Sequence, residues 1–413
     1  MRHLHRHSMQ KLEKILSNGN HAYITGMRGT GKTALALDYA YEHFRDRCLY
    51  VNFETNYDIR EYFSRFLESR QSGTAEDILA DYYSRPDIKD SETLIILDEI
   101  HLISGNIPGY GSLIRDGSRG KVIFIDSESP EQEIKSSDCH FTLFPFTFDE
   151  FLDATGKEWY RDVIAGHFER MRPVPELVHN EINDIFSDYL MTGGMPQCVN
   201  TYYENGCEPG DPEIDDRILL TFRNITSAIE ESGSQEAYKM LSILKNIPIQ
   251  LAEGNTAFVF SSLRKGTSTA YYRNSIDMLC ENNILINVPY KKHFCLYFGD
   301  FSFLSLLMRS SVSIAEDDFN NMIMRNYIAQ SLTACGKHLE YWNSENEAYI
   351  DFIIKDNKSA IPVKLIGNSR KKLRSLTVYE KNGDGPGYAV GYENFNIMGN
   401  VKIIPQYAVF GIK

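Results

Sequence analysis

Eight consecutive residues, Gly26-Met27-Arg28-Gly29-Thr30-Gly31-Lys32-Thr33, follow the pattern G-x-x-x-x-G-K-[ST] in full. Glycines at this spacing let a backbone wrap an anion at dihedral angles that other residues resist. Successive N–H groups then point at phosphate oxygens. Lys32 would reach the β- and γ-phosphates of a nucleoside triphosphate, and the Thr33 hydroxyl would ligate Mg²⁺. A second pair, Asp98-Glu99, ends the aliphatic run Leu94-Ile95-Ile96-Leu97. There Asp98 would hold Mg²⁺, directly or through water, and Glu99 would polarise a water attacking the γ-phosphate. Acids also close ordinary strands into solvent; the glycine loop upstream is what gives this pair its meaning. The candidate nucleotide contacts are Gly26, Arg28, Gly29, Thr30, Gly31, Lys32, Thr33 and Ala34, with Lys32 and Glu99 catalytic and Thr33 and Asp98 on the metal.

These groups meet only if particular elements carry them. Ala22-Tyr23-Ile24-Thr25 reads as a short buried strand entering the loop. The run from Ala34 to Tyr41 reads as the helix leaving it, whose start adds a positive dipole end. A leading helix over residues 9–16 closes at Asn18-Gly19. Residues 48–53 form a second strand, and a polar helical region through Arg85 leads to the third, 93–99. Its continuous apolar run suits a parallel strand covered on both faces. Residues 121–126 form a fourth strand, whose tip should lie beside Asp98 because ligands gather at the carboxyl ends of such strands. Asp126 or Ser127 at that tip would sense the γ-phosphate, or would simply turn the chain. Residues 143–151 are expected as a fifth strand running into a helix. An extra strand between the loop strand and the Asp98 strand, with an acid directly after the metal ligand, is the pattern of the additional-strand, catalytic-glutamate P-loop ATPases.

The chain of 413 residues has material for about two to four domains. With 42% hydrophobic and 24% charged residues it has the composition of an ordinary globular protein, and no apolar run is long enough to span a bilayer. The basic start lacks the apolar stretch of a signal peptide. Its alternating His3, His5 and His7 have no acidic or cysteine partner beside them and read as a solvated tail. Cys48, Cys139, Cys198, Cys207, Cys280, Cys295 and Cys335 are scattered and form no C-x-x-C pair, against a disulfide framework or zinc site. Reduced thiols in a cytoplasmic protein with no membrane partner fit best. A net charge of −13 argues against broad attraction to nucleic acid but leaves room for a local basic face.

Four features, in order, resemble the bacterial and archaeal AAA-type ATPases, akin to the signal-transducing (STAND) class, that carry a C-terminal nuclease-like region. They are the P-loop with Arg28, Asp98-Glu99-Ile100, Pro145-Phe146-Thr147-Phe148-Asp149-Glu150-Phe151, and Gly193-Gly194-Met195-Pro196. Phe146 and Thr147 depart mildly from the family's P-L-S-F-x-E-F, and Ile125-Asp126-Ser127 stands where Thr-Gly-Ser is usual. The resemblance implies ATP and Mg²⁺ as cofactors, Ser127 at the nucleotide, and Gly194 and Pro196 reporting nucleotide state to a helical lid. A break between two helices, with Pro196 opening the second, is the structural alternative.

The implied fold is α/β: a P-loop core with a parallel sheet (1–160), a helical lid (161–235), a winged helix (236–303) and a degenerate nuclease-like domain (304–413). In the third segment, helices carrying Leu241, Leu244, Tyr272 and Leu279 precede two strands joined by Tyr290-Lys291-Lys292-His293. Arg264, Lys265, Arg273, Lys291 and Lys292 would contact DNA phosphates, or the module packs within the chain. The hairpin of residues 348–365 resembles the core of restriction-endonuclease-like folds, with Asp351 and Lys364 at matching positions. Pro362 occupies the place of the second acid, and Asn320 and Tyr349 also replace acids, so a metal-dependent cut is not expected. Arg370, Lys371, Lys372 and Arg374 form a basic face that would touch phosphates or simply be solvated. The expected function is a Mg²⁺-dependent ATPase driving a conformational switch; the alternatives are an ATP-gated nuclease and a DNA-binding regulator. Arg115, Arg119, Arg161 and Arg172 are the candidates for an arginine finger from a second copy, and the oligomeric state stays open.

Overall fold

Neighbouring residues in the central strands of the N-terminal region point to opposite sides of one sheet, which explains their unbroken apolar runs. Ile24, Ile96, Ile123 and Ile125 pack with Leu35, Ala36, Leu12 and Leu16 on one face. Their neighbours Tyr23, Ile95, Leu97 and Phe124 pack with Ile59, Phe63, Ile78 and Leu79 on the other. In this computed structural model the described residues are 4, 6–19, 21–69, 73–89, 92–104, 120–130, 132–204, 206, 208, 210–231, 233–253, 257–266, 269–311, 315–344, 348–356, 359–367, 370–380 and 387–412. They fall into two units, 1–144 and 145–413. His3, His5, Cys207, Arg115 and Arg119 lie outside the described residues.

The first unit holds β1 (His21–Thr25), β2 (Cys48–Asn52), β3 (Leu94–Asp98), β4 (Lys121–Asp126) and β5 (His140–Thr142). Their order is β2-β3-β4-β1-β5, and every pairing is parallel. β4 therefore separates the strand that feeds the glycine loop from the strand that ends in Asp98. In register, Asn52 faces Asp98 and Asp98 faces Ile125, so three strand tips converge at one edge.

The second unit opens differently from the sequence expectation. β5 stops at Thr142, and Phe148–Ala154 is a helix. Pro145 has no N–H to give a ladder, and the Phe146 N–H goes instead to the Gly194 carbonyl at 2.7 Å. Thr147 is extended just before the helix, and Asp149 and Glu150 suit its first turn. The helix Glu176–Thr192 ends at Gly193, and Pro196 begins the helix Pro196–Glu204. Gly194 is fixed by close approach: a Cβ there would lie 2.6 Å from the Phe146 carbonyl oxygen and 2.9 Å from Asp300 Oδ2.

Helices Gln235–Ala252, Phe260–Leu263 and Thr269–Glu281 then precede an antiparallel ribbon, β6 (Leu285–Tyr290) and β7 (His293–Phe298). After helices Phe301–Ser311 and Glu316–Ala334 comes a six-stranded sheet. It contains β8 (His338–Asn343), β9 (Tyr349–Asp356), β10 (Ser359–Gly367), β11 (Tyr388–Gly391), β12 (Asn396–Met398) and β13 (Val401–Pro405), in the order β12-β13-β11-β10-β9-β8. β8, β9 and β10 form an antiparallel meander, whereas β10, β11 and β13 run parallel. Among the described residues no helix is long and apolar enough to cross a membrane.

Candidate nucleotide site

The glycine loop joins β1 to the helix Lys32–His43. Gly26, Gly29 and Gly31 have φ of +144°, +90° and +90°, a region that side chains disfavour. At Gly26 a Cβ would also fall on the Leu143 carbonyl oxygen. The Thr30 hydroxyl donates to the Met27 carbonyl at 2.9 Å and braces the turn. Lys32 is only 5% exposed. Its ammonium donates to the carbonyls of Gly26 at 2.8 Å and Met27 at 3.3 Å, so it sits over the loop it would serve. Burial lowers its pKa; Glu99, Asp98 and Asp126 oppose that shift and Arg28 adds to it.

Thr33, half-buried, and Ala34, exposed, complete the first helical turn. The Thr33 hydroxyl donates to Asp98 Oδ2 at 2.7 Å, which joins the loop to the tip of β3. Tyr50 donates to the same oxygen at 2.9 Å, and the Glu99 amide donates to Oδ1 at 3.0 Å. Burial raises the Asp98 pKa, the Thr33 hydrogen bond lowers it, and the Glu99 charge raises it again. A hydroxyl and a carboxylate within hydrogen-bond reach form a hard oxygen donor set, which fits Mg²⁺.

Glu99 is a non-glycine residue at φ +56°, a conformation that costs of order 1–3 kcal/mol and collects at functional sites. Its carboxylate accepts from the hydroxyl of Ser127 and from its amide at 3.3 Å. Arg28 lies 3.9 Å away, and Arg28 is itself paired with Glu54 at 2.8 Å. Burial pushes the Glu99 pKa up, but Lys32, Ser127, Arg28 and His101 outweigh it and leave it lowered. The two readings of the β4 tip thus separate. Ser127 holds Glu99, whereas Asp126 is fully buried against Tyr23 at 3.1 Å, His101 at 2.7 Å and the Glu128 amide at 3.0 Å.

His101 was not singled out by sequence pattern, nor were Tyr50, Asn52 and Glu54. Asn52, Glu54 and His101 share one signal, position at or just past the carboxyl end of a strand, whereas Tyr50 sits in the middle of β2 and carries none. Burial lowers the His101 pKa, but Asp126, Glu128 and Glu99 more than offset this and raise it. A histidine raised above its unfolded value stabilises fully below about pH 6.5 and loses that contribution as pH climbs through the folded value. The thermal midpoint of wild type relative to His101→Gln should therefore be highest below pH 6.5 and shrink at alkaline pH. A difference that grows with pH would contradict the Asp126 pairing.

Gly194 and Pro196 belong to the second unit. The Gly194 amide donates to Asp300 Oδ2 at 3.0 Å, and Asp300 Oδ1 accepts from the amide and hydroxyl of Ser302. Of the remaining arginine candidates, Arg161 is committed to Asp153 and Asp162, and Arg172 is exposed. Farther along the second unit, Asp351 and Lys364 do come together, at 2.9 Å. Arg325, from the helix Glu316–Ala334, binds the other Asp351 oxygen at 2.8 Å, and the Leu365 amide donates to Oδ2 at 2.9 Å. Pro362 faces Ile353 in the ladder and offers no ligand, and Asn320 is exposed.

Residues 18–152 match the family described as AAA domain. Comparison with curated proteins gives no match. Among solved structures, the chain is similar to a Walker-type ATPase of Pyrococcus abyssi, at 16% identity over 74% of this chain and 95% of that one, with a TM-score of 0.46. It is also similar to the ORC2 protein of Aeropyrum pernix in its ADPNP–ADP complexes, at 14% identity over 77% and 94% of the two chains, with a TM-score of 0.37. A third likeness is to a signal transduction ATPase with numerous domains from Pyrococcus horikoshii, at 13% identity over 81% and 46%, with a TM-score of 0.28. The residues that match the AAA domain hold the five-stranded parallel sheet and the glycine loop.

Proposed function

We propose that the chain is a Mg²⁺-dependent ATPase in which the nucleotide state of the first unit sets the conformation of the second. The observation that carries this reading is the 2.7 Å bond between Thr33 and Asp98, residues 65 positions apart that belong to the two halves of a triphosphate–metal site. Thr33 and Asp98 would hold the Mg²⁺, which supplies charge neutralisation at the phosphates. The Lys32 ammonium would exchange the Gly26 and Met27 carbonyls for phosphate oxygens. Glu99, kept ionised by Lys32 and Ser127, would orient a water and take its proton.

The proposed switch runs through the 193–196 break as a reporter of nucleotide state. Within the second unit, Asp300 binds the Gly194 amide, and Gln330 of the helix Glu316–Ala334 accepts from the Phe301 amide at 2.9 Å. A shift at Gly194 would thus be felt by two later helices. The three helices and ribbon over residues 235–298 support a winged helix. Arg273 is paired with Asp277, whereas Arg264, Lys265, Lys291 and Lys292 are exposed. We favour packing for this module over DNA contact. Asp351, with both oxygens already taken, supports a nuclease-like scaffold that does not cut. Backbone hydrogen exchange tests the switch: ATP–Mg²⁺ should slow exchange at Gly194 and Phe301 relative to the nucleotide-free chain. Unchanged exchange there, with ATP demonstrably bound, would rule the switch out.

A further inference from the structure

Three buried carboxylates, Asp98, Glu99 and Asp126, meet one buried lysine, Lys32, at the carboxyl end of the parallel sheet. Buried charges are normally matched by opposite ones. Asp98 belongs with Thr33 to the oxygen pair assigned to Mg²⁺. Arg28, 3.9 Å from Glu99, is already paired with Glu54 at 2.8 Å. Glu99 and Asp126 thus share His101, whose Nδ1 lies 2.7 Å from Asp126 Oδ1 and 3.5 Å from Glu99 Oε2. One ligand atom from each of these three residues lies within 4.8 Å of the other two.

That spacing is close to the spacing of a metal centre. Donors to tetrahedral zinc stand about 2.0–2.2 Å from the ion, and so about 3.3–3.6 Å from one another. The separation of His101 and Glu99 already falls in that range. The pair of His101 and Asp126 must open by about 0.6 Å, which follows when a metal ion replaces the proton between them. The outer contacts suit the same role, because ligating carboxylates are held by hydrogen bonds of their own. Asp126 accepts from Tyr23 at 3.1 Å and from the Glu128 amide at 3.0 Å. Glu99 Oε2 accepts from the hydroxyl and the amide of Ser127. The His101 side chain, 18% exposed, joins the cluster to solvent.

We propose that Glu99, His101 and Asp126 form a site for a zinc-class divalent transition metal, distinct from the Mg²⁺ pair of Thr33 and Asp98. An imidazole nitrogen beside two carboxylates suits Zn²⁺, whereas Mg²⁺ takes oxygen donors. Water takes the fourth position. Zinc here occupies the carboxylate that would accept a proton from the attacking water. The metal therefore blocks hydrolysis and leaves the glycine loop able to hold ATP. Binding of the metal is independent of the ATPase reading; the block on hydrolysis rests on it.

The test uses the full chain in excess Mg²⁺, with Co²⁺ as the probe. Filling the site should give the visible absorption of tetrahedral Co²⁺ without the near-ultraviolet band of a cobalt–thiolate bond, and Zn²⁺ should displace it. His101→Gln and Glu99→Gln should each raise the Co²⁺ concentration needed by at least tenfold, since loss of a ligand's support alone costs about 10–100-fold in metal affinity. Retained ATP binding shows that Glu99→Gln is folded. In wild type, ATP turnover should fall as the absorption rises, and His101→Gln should need at least tenfold more Co²⁺ for the same fractional inhibition. No absorption in wild type, suppression of it by Mg²⁺, a thiolate band, or unchanged affinity in both variants would overturn the site. Turnover undiminished with the site filled would overturn it equally. A wild type that binds Co²⁺ as stated but hydrolyses no ATP without it would refute the ATPase reading and leave the site standing.

Discussion

Glu99→Gln is expected to keep ATP bound while hydrolysis falls by about 10²–10⁴-fold, the range associated with loss of a general base. Binding should survive because glutamine keeps the shape of glutamate and can still accept from the Ser127 hydroxyl. The contacts to Arg28 at 3.9 Å and His101 at 3.5 Å are weakened, but Arg28 retains Glu54 at 2.8 Å and His101 retains Asp126 at 2.7 Å. Removing the Glu99 charge also removes a repulsion that raises the Asp98 pKa. Asp98 is then more fully ionised, so affinity for a magnesium-bound nucleotide should hold or improve. Single-turnover hydrolysis beside equilibrium binding checks both halves. Loss of binding together with turnover would mean that Glu99 shapes the site and does not act on water.

Lys32→Ala should do the reverse and remove binding itself. The ammonium stands inside the loop on two carbonyls that phosphate oxygens would replace. Charge-assisted hydrogen bonds are worth about 1.5–3 kcal/mol each, so losing two costs about 10²-fold or more in affinity. The variant should also be less stable, since the Gly26 and Met27 carbonyls lose their shared donor in a buried loop. It further strips away the largest influence that lowers the Glu99 pKa, so the base is pushed upward toward its protonated form. Titration calorimetry with ATP and Mg²⁺, paired with thermal unfolding, separates the binding loss from the stability loss.

The loop and the Asp98-Glu99 pair were legible because their chemistry is written in contiguous residues. The succession of strands, and the β4 tip beside Asp98, followed from period and position: an apolar run buried on both faces, then acids at its carboxyl end. What sequence could not show was who stands beside whom. Tyr50 touches Asp98 because β2 is the neighbour of β3, and His101 meets Asp126 across adjoining strand ends. Arg325 is the sharpest case. It lies 26 positions from Asp351, on a helix with no motif of its own, and only tertiary packing brings it onto the carboxylate. Of the strand running into a helix expected over 143–151, the helix formed from Phe148 but the strand did not, because a proline and a distant carbonyl claimed the backbone that period alone assigned to a ladder.

The most direct test is retention of labelled ATP after rapid removal of free nucleotide, with Mg²⁺ present, for wild type, Glu99→Gln and Lys32→Ala in parallel. Intact ATP should remain on Glu99→Gln, ADP should appear with wild type, and Lys32→Ala should retain neither. Equal retention by Lys32→Ala and wild type would contradict a triphosphate held between the glycine loop and the tip of β3.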